Sequence, residues 1–337
     1  MPMMPANSVP SRRLLARFAW FVVFYNVLVI LWGALVRASG SGAGCGNHWP
    51  LCNGQVIPVS PSLHTVIEFT HRMMTGGSTF VVIGLLVWTF RVTVKGAAAR
   101  WFAVASMALL LNEALLGALL VKLGYVTGNE STGRMVMLSI HLSNTLLLVA
   151  ALTLTARFLS PRQDANAQRW AGLHRARGFG WTLAGLLATI GVGVSGSVAA
   201  LGDTLFPAAS LQAAFAQDFA ANSPWILRLR LVHPVSALVA AAFVIWLIAR
   251  SRQTQLPTSE PTRGFLARMV LGLLAAQFVL GVADVLLLAP AWMQLLHLLG
   301  ADLYWVALVL LAAETIWPVA PDNVASATTR VPTASLA

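Results

Sequence analysis

The chain has 337 residues, 58% of them hydrophobic and only 10% charged, with a mean hydropathy of +0.75. A water-soluble domain carries about 25% charged residues, so a soluble globular protein is excluded. The net charge of +11 would suit a nucleic-acid partner, but the basic residues lie between long apolar runs, which assigns them to membrane topology and to no nucleic acid.

Eight apolar runs reach the roughly 20 residues needed to cross about 30 Å of hydrocarbon: 16–37, 64–90, 101–123, 135–157, 179–201, 229–250, 265–288 and 293–317. They are continuous rather than alternating, which predicts helices and not barrel strands. The predicted fold class is an all-α polytopic membrane protein of eight transmembrane helices. Residues 1–15 form a polar leading segment, expected in the cytoplasm. The run from Phe18 to Val36 is too long for the apolar region of a signal peptide and lacks a clear cleavage site.

The first connecting loop, 38–62, is rich in Gly, Pro and Ser and holds both cysteines of the chain, Cys45 and Cys52. A disulfide, a redox-active pair and two free thiols all remain open from the spacing; an oxidising outer compartment favours the disulfide. The second run carries Glu68, His71 and Arg72 near its start. Ionisable groups in hydrocarbon cost roughly 2.5–3.5 kcal/mol each on insertion scales, so they default to functional hypotheses. Glu68 and His71 are three residues apart and share a helix face.

The third run holds Asn112 and Glu113, where a structural hydrogen bond and a proton path are both open, and the fourth holds His141 and Asn144. The segment 158–178 is polar and basic, includes His174 as a solvated side chain, and divides the chain into halves. The fifth run is glycine-rich, favouring close helix packing. The loop 202–227 follows without cysteine. The sixth run begins with Arg228, Arg230, His233 and Pro234, the proline sitting in an early turn where its missing N–H costs least. The seventh holds Gln277 and Asp284, the latter without an assigned role, and the eighth holds His297. The tail 318–337 reads as disordered. Basic residues concentrate before run one and between runs two and three, four and five, and six and seven. The positive-inside rule therefore predicts both termini in the cytoplasm, the membrane being taken as a bacterial inner membrane.

The halves 16–157 and 179–317 echo each other. His71 matches His233, His141 matches His297, Leu116-Gly117 matches Leu280-Gly281, and Ser39-Gly40-Ser41 matches Ser195-Gly196-Ser197, at offsets of 162, 156, 164 and 156. Both copies start on the same side, which predicts a parallel repeat about an axis along the membrane normal. All four histidines lie in even-numbered runs, about 4–8 residues from the outer end, hence at one depth at about 1.5 Å per residue. Two imidazoles facing across each bundle core predict axial clamping of a haem iron. Zinc or copper would call for three or more converging ligands. The halves differ at the position three before the first histidine: Glu68 in one, Arg230 in the other. Arg228 and Arg230 suit the anionic carboxylates of a resident porphyrin. Glu68 suits proton transfer at a reactive one, with a salt bridge to Arg72 or Arg37 as its structural alternative.

The sequences GALVRASGSGAGC, WPLCNG and EFTHR, with His141, His233-Pro234, Gln277, Leu280-Gly281 and His297-Leu298-Leu299, resemble the haem A synthase family over about residues 15–315. The resemblance implies haem b held by His233 and His297 in the C-terminal half, and haem O as substrate near His71 and His141 in the N-terminal half. It implies oxidation of the C8 methyl of haem O to a formyl group, for terminal oxidases, with Glu68 as the essential acid. Cys45 and Cys52 match the first-loop cysteine pair of one bacterial branch. Implied partners are haem O synthase and an electron donor of unknown identity. The competing expectations are a di-haem b-type electron-transfer protein without chemistry of its own and, on the strength of the repeat, a transporter.

Overall fold

The computed structural model describes residues 8–160, 178–253 and 260–317. Most of the dividing segment and residues 318–337 lie outside the described residues, as do residues 1–7 and His174. The elements are α1 (Ser8–Ala38), α2 (Leu63–Val92), α3 (Ala98–Lys122), α4 (Thr132–Leu159), α5 (Phe179–Leu205), α6 (Leu211–Phe219), α7 (Trp225–Arg228), a 3-10 turn (Leu229–Leu231), α8 (Val232–Gln253), α9 (Glu260–Leu286) and α10 (Ala291–Ile316). Among the described residues no strand forms, and eight helical segments are long and apolar enough to span a membrane, the sixth being α7, the turn and α8 together. This is an all-α polytopic membrane protein.

Local sequence explains where the spans begin. Ser62 accepts a hydrogen bond from the Thr65 N–H at 3.2 Å and caps α2, and Ser131 does the same for Arg134 at 3.3 Å and α4. Such caps satisfy donors that no helical carbonyl can reach. Pro290 stands just before α10, where its missing N–H costs nothing. The loop 202–227 is more ordered than expected: α5 continues to Leu205, and Ser210 caps the short helix α6 by accepting from Ala213.

The packing has two similar halves. In the first, α1 packs on α2 and α4, and α3 on α2 and α4; in the second, α5 packs on α8 and α10, and α9 on α8 and α10. Helices α1 and α4 meet α10, and α4 meets α5, closing the seam between them. One core gathers Leu15, Val22, Leu85, Leu152 and Leu159; another gathers Val149, Val244, Val270, Trp305 and Leu308. Both lie towards the end away from the 39–62 loop. Large apolar side chains such as Phe80 (77% exposed) and Val279 (69%) point outwards. In water that arrangement would be unfavourable, and in lipid it is the ordinary state.

Candidate functional site

The four histidines lie at one level because each sits a similar distance into a helix that starts at the loop end. His71 is eight residues after Leu63, His141 nine after Thr132, His233 eight after Trp225 and His297 six after Ala291. All four are half-buried. In the second half the rings of His233 and His297 face one another, centroids 6.4 Å apart and planes at 87°. The Ser195 hydroxyl lies 3.1 Å from His233 Nδ1, which leaves Nε2 for a ligand. In the first half His71 and His141 are within electrostatic reach of each other.

Glycines make room for these rings. A Cβ on Gly33 of α1 would lie 3.0 Å from His71 Cε1, one on Gly196 of α5 2.9 Å from His233 Cε1, and one on Gly281 of α9 3.3 Å from His297 Cε1. Gly33 and Gly196 are thus equivalent, at an offset close to that of the histidines they touch. The expected Ser39-Gly40-Ser41 match is therefore seven residues out of register. Those serines begin the outer loop instead, where Ser41 Oγ lies 3.0 Å from His64 Nδ1. Gly117 breaks the pattern, with nothing within 4 Å of where its Cβ would be.

Glu68 is 4% exposed and both its oxygens are engaged. Oε1 pairs with the Arg72 guanidinium one turn on, and Oε2 accepts the Cys45 backbone N–H at 2.7 Å. Arg72 also donates to the His48 and Leu51 carbonyls, at 2.7 and 2.6 Å. Cys45 and Cys52 are joined in a disulfide, both buried. The first loop is thus a plug seated on the acid. Of the two arginines offered as partners for Glu68, Arg72 is the one it meets. Arg37 reaches across the seam, donating to Ala200 O at 2.8 Å, Thr204 Oγ1 at 2.7 Å and Gln294 Oε1 at 2.8 Å.

The arginines of the second half are also engaged within the protein. Arg230 pairs with Asp203 at 2.9 Å and Asp218 at 2.6 Å, and Arg228 donates to the Ala220 and Ala221 carbonyls at 3.2 and 3.0 Å. They tie α5, α6 and the segment leading into α8 together. Asp284 Oδ1 is buried and, among the described residues, has no hydrogen-bond partner. Gln277, with its amide turned to satisfy its neighbours, donates to His297 O at 3.2 Å and accepts from Ala301 N at 3.0 Å.

Sequence reading missed Gly33, Asp203 and Asp218, and noted Ser195 only as part of the repeat and not as a partner of His233. Gly33 could have been found by keeping one offset through the first three helix pairs. The aspartates carry no short-range signal, since their partner lies 27 and 12 residues away in the chain.

Chemically, two facing imidazoles can hold one metal ion between them, at ordinary metal–imidazole lengths of about 2 Å a side. Among the described residues no three His, Cys, Asp or Glu side chains converge, so the second half offers a two-ligand clamp, with His71 and His141 the corresponding residues of the first half. That donor set suits an iron whose other positions are filled by a macrocycle.

A family model for cytochrome oxidase assembly protein matches residues 16–309. A protoheme IX farnesyltransferase of Thermus thermophilus is 41% identical over 314 residues, covering 91% of this chain and 49% of the relative. A haem A synthase of Shouchella clausii is 37% identical over 143 residues, 42% of this chain and 44% of the relative, and one of Bacillus licheniformis is 41% identical over 98 residues, 29% and 32%. The chain spans about half the length, or less, of these curated relatives.

Proposed function

The chain belongs to the cytochrome oxidase assembly protein family, and from that premise we propose that it is a haem A synthase, an oxidoreductase that converts the C8 methyl of haem O to a formyl group. The observation that carries this reading is the difference between its halves. Each holds a histidine pair, but among the described residues only the first sets a carboxylate against an imidazole nitrogen, Glu113 3.3 Å from His141 Nδ1, with Glu68 one turn before His71; the acid whose charge reaches His233, Asp203, is instead paired with Arg230. A carrier of electrons needs two similar clamps. An enzyme needs one clamp with a proton acceptor at hand.

In this reading His233 and His297 hold haem b, and His71 and His141 receive haem O. When bound, these groups supply the redox chemistry of iron. The chain's own side chains position them and manage protons. Gly33, Gly196 and Gly281 let the rings stand against their neighbouring helices. Glu68 takes or returns a proton at Oε1 or Oε2, with Arg72 and the Cys45 N–H fixing the carboxylate between uses. The disulfide-closed loop shields that carboxylate from water. Arg228 and Arg230 tie together the segments that lead into the helix of His233; direct contact with porphyrin carboxylates would require them to exchange their present partners.

The Thermus relative is named for prenyl transfer, but this chain spans only 49% of it, so the unmatched half is free to carry that activity. We take the relative as support for a haem O-producing farnesyltransferase as partner. In this reading the protein lies in a bacterial inner membrane, as a source like that of its relatives implies, and the placement of arginines and lysines supports cytoplasmic termini.

Membranes containing the full chain, supplied with haem O and a reductant, are expected to yield haem A on extraction and chromatography, and Glu68→Gln to abolish it. Two tightly bound, equivalent b-type haems with unchanged haem O would instead favour the di-haem electron carrier.

A further inference from the structure

The network on the inner face of α3 and α4 is built on an acid, whereas its counterpart in the second half is a neutral amide, Gln277, bonded to the backbone of α10. Glu113 Oε2 accepts from Asn144 Nδ2 at 2.5 Å, Oε1 accepts the Thr145 hydroxyl, and Oε1 also lies 3.3 Å from His141 Nδ1. Asn112 Nδ2 donates to Asn144 Oδ1 at 2.8 Å. At the offset that pairs Gly117 with Gly281, Glu113 corresponds to Gln277 and Asn112 to Ala276; at the offset that pairs His141 with His297, Asn144 and Thr145 correspond to Gly300 and Ala301. The duplicated helices thus differ where the acid and its holders stand.

His141 Nδ1 is fully buried, and no side-chain or backbone acceptor lies on its hydrogen-bonding line. The nearest charged atom is Glu113 Oε1, off that line and shared with Thr145. The His71 and His297 Nδ1 atoms likewise have no partner among the described residues, and His233 Nδ1 meets the neutral Ser195 hydroxyl. Of the four imidazoles, His141 is the one with a carboxylate against its inner nitrogen. Gly117 is also the one glycine of its set that no ring touches, which fits a His141 ring drawn towards Glu113.

We propose that Glu113 is a positioning residue for the first-half site: it accepts from the His141 Nδ1–H, fixes the tautomer that leaves Nε2 free for iron, and makes that imidazole the most electron-rich of the four ligands. This deepens the haem A synthase reading and rests on it. A ligating histidine backed by a carboxylate is a stronger donor than one backed by a hydroxyl or by nothing. A stronger donor favours the oxidised iron. The sequence would then assign the lower reduction potential to the half whose bound molecule is to be oxidised, and the higher one to the His233–His297 half.

The test is a redox titration of the full chain in detergent, loaded with haem b as probe and followed at each site by its visible spectrum. His141→Ala and His297→Ala identify which transition belongs to which half. Glu113→Gln keeps the size of the side chain and an oxygen for Thr145 while removing the charge. It is expected to move the first-half potential upwards, leave the second-half potential in place, and weaken haem binding in the first half by about 10–100-fold. Thr145→Val removes the competing donor on Oε1 and is expected to move the same potential downwards; it serves where Glu113→Gln does not accumulate. A purely structural staple between α3 and α4 predicts altered stability in both variants with both potentials unmoved, and that result overturns the proposal alone. A parent protein that takes up no haem in the first half overturns the underlying reading together with it.

Discussion

The backbone N–H of Cys45 donates to Oε2 of Glu68 across 2.7 Å, so an acid at the start of one membrane helix is held by a disulfide-bonded residue of the preceding loop. The disulfide closes a loop of sequence separation 7, and a ring of that size stabilises by about 2–3 kcal/mol through the unfolded state. Cys45→Ala/Cys52→Ala, or reduction of the parent, is expected to lower the melting temperature. It is also expected to slow haem O conversion by more than the lost stability explains, because Glu68 loses a fixed donor. Haem content measured by absorbance should hold at the second half. Unchanged turnover in the reduced protein would show that the loop does not position the acid.

Glu68 and Arg72 form a buried pair, with side chains 5% and 10% exposed. Removing one member strands the other, at about 3–5 kcal/mol. Glu68→Ala is therefore expected to unfold a fraction of the protein and so to confound activity with stability. Glu68→Gln keeps the size of the side chain and one acceptor oxygen, enough for Cys45 or Arg72 but not both, and is expected to keep more of the fold and bound haem than the alanine variant while losing conversion. Chromatography of extracted haems, normalised to folded protein, checks this; appreciable haem A from the glutamine variant would remove Glu68 from the chemistry.

The glycines give a graded series. Added methyls on Gly196, Gly33 and Gly281 would stand 2.9, 3.0 and 3.3 Å from imidazole carbons, whereas Gly117 has open space. Overpacking of this kind costs about 1–3 kcal/mol. Gly33→Ala should therefore displace His71 and deplete haem from the first half, and Gly196→Ala should do the same for His233 and the second. Gly281→Ala should be milder, and Gly117→Ala should be silent. Reduced-minus-oxidised spectra of the four variants order them; equal haem content in all four would show that the rings do not need their glycine cradles.

These glycines mark where sequence reading ends. Span number and histidine depth follow from apolar run length and the helical rise, and both are legible in the eight apolar runs. Helix pairing across the halves is legible too, through matched offsets. What fails is the register of α1 against α5: the Ser-Gly-Ser motif recurs by chance in a loop and in a helix, while the residue that counts, Gly33, sits in an unremarkable Trp-Gly-Ala context. The arginines fail for a different reason. A cation near an outer helix end reads equally as a partner for an anionic ligand and as one for a distant aspartate, and only the folded chain brings Asp203 and Asp218 to Arg230. Glu113 lay open between a structural and a proton-handling role because its neighbours Asn144 and Thr145 are on another helix.

Arg230 tests that ambiguity. Its side chain is 11% exposed and that of Asp218 12%. Arg230→Met strands two carboxylates and is expected to cost about 3–5 kcal/mol, and Arg230→Lys to recover only part, since an ammonium lacks the fork that spans both partners. Combining Arg230→Met with Asp203→Asn and Asp218→Asn removes all three charges and should restore the melting temperature and the haem b content together. Restored stability with haem b still missing would instead place Arg230 directly on the cofactor.

Two long-range bonds cross the seam between the halves. Arg37 of α1 reaches α5 and α10, and Trp305 Nε1 of α10 donates to Leu146 O of α4 at 2.8 Å. Arg37 belongs to the loop end of its helix and Trp305 lies about two turns beyond His297, so they brace the seam at different depths. Trp305→Phe removes one buried hydrogen bond, at about 1 kcal/mol, and Arg37→Leu removes a cluster whose strongest member is worth about 1.5–3 kcal/mol. If the braces act separately, their effects on detergent unfolding should add to within about 0.5 kcal/mol in the double variant. A double variant markedly milder than that sum would mean that loss of either brace already parts the halves. Electron exchange between the two histidine pairs would then depend on a seam that opens as one unit.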